Sequence, residues 1–216
     1  MNRTAHNKRK SQTGGIFMKQ PIITISREFG SGGREIGKMI ADHFSIPYYD
    51  NALITLAAKK SGFVEELFEH TDQKPTGSLL FSLSMFGSMA SFEMPLNDKV
   101  YLIQSDIIKE VASKGGCVIV GRCADYVLRD MPNVVNFYLH ADLDTRTDFA
   151  IRMRDFPPEG AKEKVQKIDK RRASYYHYYT GKKWGDAKNY DLCIDTTKLG
   201  LEKTADLIIK YVDLRA

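Results

Sequence analysis

The stretch from Pro21 to Phe44 constrains this chain more than any other. Pro21-Ile-Ile-Thr-Ile-Ser26 is a short β-branched apolar run, the pattern of a strand buried on both faces. It meets a Gly-rich turn, Phe29-Gly-Ser-Gly-Gly33, and then a helical pattern from Arg34 to Phe44 in which Ile36, Ile40 and Phe44 fall on one stripe. Strand, glycine turn and amphipathic helix together predict a phosphate cradle. Successive N–H groups point into the turn as an anion nest, and the helix adds the positive end of its dipole. The turn does not match the strict GxxxxGK[ST] pattern, so by itself it also reads as an ordinary tight turn.

The rest of the chain repeats the alternation. Ile46-Pro-Tyr-Tyr-Asp50 predicts a second short strand ending on an acid, with helices over 51–61 and 63–70. A helix from Asp98 to Ser113 leads into the strand Cys117–Val120, which ends at Gly121-Arg122. Val134–Leu139 is the next strand, followed by helices over 142–154 and 159–176. Tyr190–Asp195 is the last strand and 200–213 a closing helix. Strands alternating with helices predict an α/β fold: a parallel sheet flanked by helices in three layers, with ligands beyond the carboxyl ends of the strands. Residues 71–97 are rich in Ser, Gly, Met and Phe and read either as a mobile element or as a partner-facing flap.

Composition narrows the class. The chain has 216 residues, 43% of them hydrophobic and 27% charged, which is ordinary globular usage. That length suits one domain over 18–216, with a helical insertion at about 51–97 and a basic lid at about 146–186. No apolar run approaches the roughly 18–20 residues of a membrane span, and no apolar segment marks a secretory signal. Cys117, Cys123 and Cys193 lack paired or metal-type spacing, which predicts a reduced, cytoplasmic setting. His43, His70 and His140 are scattered and suggest no histidine metal site.

The net charge of +5 hints at nucleic acid until its placement is read. Residues 1–17, a polar leader that reads as a disordered extension, carry +4 of it; 146–183 nets +6 and the remainder −5. No nucleic-acid partner is therefore expected. A compact basic segment on a slightly acidic body is what a phosphate-handling lid needs, and it is equally the pattern of a solvated helix pair.

Within that segment Arg146, Arg152 and Arg154 open the lid, and Asp169 precedes Lys170, Arg171 and Arg172. Adjacent helical residues point about 100° apart, so one of Arg171 and Arg172 is expected to face the cleft. Ser174-Tyr-Tyr-His-Tyr-Tyr-Thr-Gly181 supplies aromatics that either hold a nucleobase or pack the lid, and packing is the expectation. Arg122, at the end of a buried strand, is placed at the cleft or else pairs with a neighbouring acid such as Asp125.

Several stretches resemble the cytidylate kinase-like family. IITISREFGSGGREIGKMIADHFSIPYYD (22–50) resembles the opening of bacterial cytidylate kinases through strand, loop, helix and second strand. GGCVIVGRCAD resembles the strand ending in Gly-Arg, VVNFYLHADLDTR the next strand and lid start, and NYDLCIDTTKLGLEKTADLII the final strand and closing helix. The resemblance covers 21–213 apart from 71–97. It implies a P-loop NTPase-type sheet with a helical lid, and Mg²⁺-dependent transfer from ATP to CMP or dCMP. It also implies ATP contacts at Gly30, Ser31, Gly32, Gly33, Arg34 and Glu35, and acceptor contacts at Asp50, Arg122, Asp125 and Asp169. Arg34, Arg122, Arg152 and Arg172 are the candidate catalytic cations, and on physical grounds Glu35 or Asp50 could hold Mg²⁺ through oxygen or through water.

The departures are as informative. The family's P-loop Lys is replaced by Gly33, the metal-binding Ser/Thr by Glu35, and the strand-end Asp by Val120. The Gly-Arg-Asp acceptor motif becomes Gly121-Arg122-Cys123, Asn51 follows the second-strand acid, and Leu56 stands where an Arg is expected. Arg34 can supply the missing cation as a bidentate fork. Arg34 and Glu35 also fit a solvent-facing first helical turn, where the dipole favours Glu35. Two other functions fit these losses: a P-loop kinase of another small acceptor, or a nucleotide-binding sensor with little turnover whose 79–94 segment meets a partner.

Overall fold

The computed structural model describes residues 20–60 and 95–215; the 1–17 extension, the helix expected at 63–70 and the Met- and Phe-rich 79–94 segment lie outside them. Five strands form one parallel sheet: β1 (Ile22–Arg27), β2 (Tyr48–Tyr49), β3 (Cys117–Val120), β4 (Val134–His140) and β5 (Leu192–Asp195), in the order β2-β3-β1-β4-β5. β1 is central, pairing Ile22 to Ile25 with Cys117 to Val120 on one side and Ile22 to Arg27 with Val134 to Leu139 on the other. A strand in that position has no solvent-facing side, which is why Ile22 to Ser26 are all buried rather than alternately exposed.

The helices are α1 (Gly33–Phe44), α2 (Asn51–Lys60), α3 (Leu96–Ser113), α4 (Ala124–Val127), α5 (Leu143–Arg154), α6 (Ala161–Thr180) and α7 (Thr196–Arg215). The two faces of the sheet sort by the period of two. Ile23, Ile25, Val118, Val120 and Phe137 pack with Ile36 and Ile40 of α1 and Ile208 and Val212 of α7. Ile22, Cys117 and Ile119 pack with Ile54 of α2, Ile107 and Ile108 of α3 and Leu128 just past α4. Each fully buried Ile or Leu contributes about 1.5–3 kcal/mol of burial. The three layers predicted from the alternation are thus present.

Departures from the sequence reading are local. α4 is only four residues, too short for periodicity to show. The closing helix begins at Thr196 rather than at 200 and breaks at Gly200, whose φ of 70° and ψ of −176° leave the helical region. α5 starts at Leu143 because the Asp142 side chain caps it, accepting from the Thr145 N–H at 2.8 Å. β1 delivers its last residue, Arg27, to the same end of the sheet at which β3 delivers Gly121 and Arg122. α6 crosses that end.

Candidate active site

The turn after β1 is held open from outside. Ser31 is buried, and its hydroxyl donates to the carbonyls of Glu28 (3.0 Å) and Leu139 (3.3 Å), while its own carbonyl accepts from Thr196. Gly30 has φ of 83°, and a Cβ there would run into the carbonyl of Arg146. From the lid, Asp169 accepts the Phe29 N–H at 2.8 Å and pairs with Arg146, which also lies 3.2 Å from Glu28. With these groups taking the outside of the loop, the N–H groups of Gly30, Gly32 and Gly33 make no backbone hydrogen bond among the described residues, and α1 has no side-chain cap. That is an anion nest at a helix N-terminus.

Three adjoining cavities run from this nest. The first, about 80 Å³, is lined by the turn together with Arg27, Arg34, Glu35, Arg154 and Arg172. Arg27, Arg34 and Arg172 also line the second, of about 460 Å³, where Arg122 and Arg171 join them. Asn51, Arg122 and Tyr175 lead on to a third, of about 620 Å³, walled by Tyr175, Tyr178 and Tyr179, with Thr55, Asp98 and Gln104. Five arginines face the middle cavity, and no Asp or Glu among the described residues lines it.

Their positions have local causes. Arg122 sits in a run of left-handed backbone: φ is 86° at Gly121, 56° at Arg122 and 55° at Cys123. A non-glycine residue held there costs on the order of 1–3 kcal/mol, the kind of strain found at functional turns. The turn aims the Arg122 guanidinium at Asn51 Oδ1, to which Nε donates, and 5.6 Å from the Tyr175 ring centre. Arg172 donates to the Arg27 carbonyl and lies 5.3 Å from the Phe29 ring centre. Burial, and then the repulsion of Arg172 and Arg34, push Arg27 down to about 9. Burial likewise lowers Arg172, against the opposing pull of Asp169.

The third cavity has an aromatic wall fixed by hydrogen bonds. Tyr179 stacks on Tyr101 with centroids 3.8 Å apart and donates to Asp98 at 2.9 Å. Gln104 is 2% exposed; its Nε2 reaches Thr55 at 3.4 Å, and its Oε1 has no hydrogen-bond partner among the described residues.

The structure brings Gly30, Gly32, Gly33, Arg34, Glu35, Arg122 and Arg172 to these cavities, with Asp50 beside Arg34 at 3.5 Å. It places the remaining expected residues elsewhere. Ser31 and Asp169 brace the turn as described. Asp125 is buried and accepts from the Tyr176 hydroxyl at 2.7 Å, and burial raises its carboxyl above the usual range. Arg152 is exposed and, among the described residues, reaches only the Asp148 carbonyl of its own helix. The alternative pairing of Arg122 with Asp125 is not made. Arg171 and Arg172 both line the middle cavity, although 100° apart on the helix, because a long arginine stem reaches inward from the flank.

Sequence reasoning missed Arg27. The signal was present: it is a charged residue at the end of a buried strand, the same feature that singled out Arg122.

Among the described residues no three His, Cys, Asp or Glu side chains come together. Glu35 gives one oxygen to Arg154, while Oε2 is buried and has no hydrogen-bond partner among the described residues. Asp50 Oδ1 accepts from the N–H groups of Ala52 and Leu53, which leaves Oδ2 facing Arg34. A carboxylate oxygen with no partner among the described residues, beside an anion nest, fits Mg²⁺, which takes hard oxygen ligands, few of them from protein, and keeps several waters.

The profile of the cytidylate kinase-like family matches residues 22–198. Over 193 residues the chain is 26% identical to a cytidylate kinase from Methanosarcina acetivorans, covering 88% of this chain and 96% of the relative. A cytidylate kinase from Pyrococcus horikoshii is 23% identical, at coverages of 89% and 88%. The crystal structure of an uncharacterized protein from Eubacterium ventriosum superposes with a TM-score of 0.69 at 31% identity, covering 90% of this chain and 99% of that one. A gluconokinase from Sinorhizobium meliloti (TM-score 0.52, 12% identity, coverages 92% and 94%) shares the fold. So does a shikimate kinase from Acinetobacter baumannii (TM-score 0.51, 12% identity, coverages 91% and 94%).

Proposed function

The chain belongs to the cytidylate kinase-like family, and from that we propose that it transfers the γ-phosphoryl group of ATP to CMP or dCMP. The observation that carries the reading is the middle cavity: five arginines and no carboxylate among the described residues, between a phosphate nest and an aromatic-walled cavity. Phosphoryl transfer asks little covalent chemistry of a protein. It asks for two anions held in line, charge neutralised on the transferring group, and water kept out.

In this reading the nest of Gly30, Gly32 and Gly33 takes the ATP phosphates and Arg122 grips the acceptor phosphate. Arg34 and Arg172 lie along the path between them, and α5 and α6 cover it. The tyrosine wall faces the acceptor base, with the Gln104 oxygen free to accept from an exocyclic amine. Glu35, with Asp50 nearby, would hold Mg²⁺, which supplies neutralising charge to the phosphate oxygens.

The test is ADP release from Mg²⁺-ATP with CMP, dCMP, UMP, AMP, GMP and no acceptor. Turnover with CMP or dCMP well above the others is the expected result. Turnover confined to another acceptor would overturn the pyrimidine assignment and keep the kinase. Silence across the panel, in a protein that ATP still stabilises against heat, would point to the nucleotide-binding sensor.

A further inference from the structure

Gly33 stands where the resemblance places a P-loop lysine, and the fold shows what fills the space. A Cβ at residue 33 would lie 2.8 Å from Cγ of Arg27 and 3.1 Å from its Cβ. Those are stem atoms, not a mobile tip, so position 33 carries no side chain because Arg27 already runs through that volume. The stem continues to Gly121, whose missing side chain makes room for Nη1 of the same guanidinium. Two glycines on two loops thus clear a channel for one arginine, and that arginine lines both the nest and the middle cavity.

Each of the neighbouring cations except the exposed Arg171 has a partner elsewhere. Arg34 is 44% exposed and faces Asp50, Arg154 pairs with Glu35, Arg122 donates to Asn51, and Arg172 donates to a main-chain carbonyl. Arg27 has no carboxylate within pairing distance and donates no side-chain hydrogen bond among the described residues. Crowding and burial lower its proton affinity only to about 9, so it stays charged at neutral pH. A half-buried cation with no counter-charge is disfavoured until an anion arrives, and phosphate oxygens are the anions that fit a guanidinium fork.

We propose that Arg27 is a catalytic residue that supplies, from the end of β1, the charge P-loop kinases draw from the loop lysine. This rests on the phosphotransferase reading above. In the step, an acceptor phosphate oxygen forms a bond to the γ-phosphorus while the bond from that phosphorus to the β,γ-bridging oxygen breaks. The bridging oxygen leaves on ADP with the electron pair. Arg27 forms no covalent bond and moves no proton; it neutralises charge on the γ-phosphoryl and bridging oxygens.

The test compares full-length wild type with Arg27→Met, Arg27→Lys and Arg34→Ala, measuring kcat with the best acceptor and Kd for AMP, ADP and ATP. Arg27→Met should lose about 10²–10³-fold in kcat while its Kd for AMP stays within about threefold. Arg27→Lys should recover tenfold or more over Arg27→Met, and Arg34→Ala should lose less than Arg27→Met. Arg27→Met turning over within threefold of wild type, or outperforming Arg34→Ala, overturns the proposal. Should wild type transfer to no acceptor, the phosphotransferase reading fails and binding still decides about Arg27. Its removal should erase the preference for ATP over AMP, and an unchanged preference overturns the proposal. Should Arg27→Met not fold, Gly33→Ala displaces the Arg27 stem without straining a helical backbone. It should lose turnover similarly, and full activity there overturns the proposal.

Discussion

Arg172 donates from Nη1 to the main-chain carbonyl of Arg27 at 2.9 Å, joining the lid helix α6 to the end of the central strand. Two cations are thereby held side by side over one cavity, although Arg172 and the residue whose carbonyl it uses are 145 positions apart. Like charges do not gather so without cause, and the bond to a neutral carbonyl fixes Arg172 without cancelling its charge. The arrangement is preorganised for a polyanion and strained without one.

Arg172→Ala should therefore affect chemistry more than folding. Its kcat should fall by about 10²-fold or more, the usual loss when one preorganised cation is removed from a phosphoryl-transfer site. The apo melting temperature should change little, since removing one repelling cation offsets the lost hydrogen bond. Steady-state kinetics and a thermal melt on the same preparation check both halves. A kcat within threefold of wild type would remove Arg172 from the machinery.

Asp169 should show the opposite pattern. It is the acceptor for the Phe29 N–H and the partner of Arg146, whose side chain is 9% exposed. Asp169→Ala leaves a buried guanidinium with Glu28 and the carbonyls of Ala141 and Phe29 but without its closest carboxylate, at a cost of about 3 kcal/mol. For a protein of this size that is roughly 6–12 °C in melting temperature. Asp169→Asn keeps an acceptor for Phe29 and should recover part of the loss. Calorimetry showing less than 2 °C for Asp169→Ala would mean the turn is braced by other contacts.

Asp125 gives a pH dependence with a definite sign. Burial raises its carboxyl in the folded state, against the smaller opposing effect of the Tyr176 hydrogen bond. A raised folded value means the native protein holds the proton more tightly than the unfolded chain. This contribution to stability is fully present below the unfolded value near 3.8 and is lost as pH rises through the raised one. Asp125→Asn, which can still accept from Tyr176, should thus gain stability relative to wild type at pH 7, and the gain should shrink toward pH 4. Melts across that range that keep a constant difference would count against this account.

Gln104 should govern which base is accepted. Nε2 is turned to Thr55 and Oε1 has no partner among the described residues, so in the proposed reaction it is the atom that would accept from an exocyclic amine of the base. Gln104→Leu should lower kcat/KM for CMP by about 10–100-fold and affect UMP far less. An unchanged CMP-to-UMP ratio would show that the base is read elsewhere.

Much of the architecture was legible because it rests on short-range rules. The apolar run at Ile22–Ile25, the glycine turn and the 3.6-residue stripe at Ile36 and Ile40 each carry their own signal; the strand and the stripe are buried as expected, and the turn joins them. Arg122 was legible for the same reason, a charge where a buried strand ends. The site's other members are set by three-dimensional neighbours that no local pattern encodes. Arg27 reads as a strand terminus until Gly33 and Gly121 are seen to make way for it. Asp125 and Asp169, which read as ligands, are internal braces because Tyr176, Arg146 and the Phe29 amide reach them from distant segments. Arg171 escaped a helical-wheel argument because the wheel places Cα atoms, not the ends of arginine stems.

The middle cavity also says how the protein behaves before any nucleotide arrives. Five guanidinium groups around one cavity, with no carboxylate among the described lining residues, should attract small anions from solution. Inorganic phosphate and sulfate should settle there, stabilise the fold by mass action and compete with the nucleotides of the proposed reaction. The choice of buffer is then part of the enzymology: assays in phosphate would report a sturdier and slower protein than assays in a bulky amine buffer with chloride.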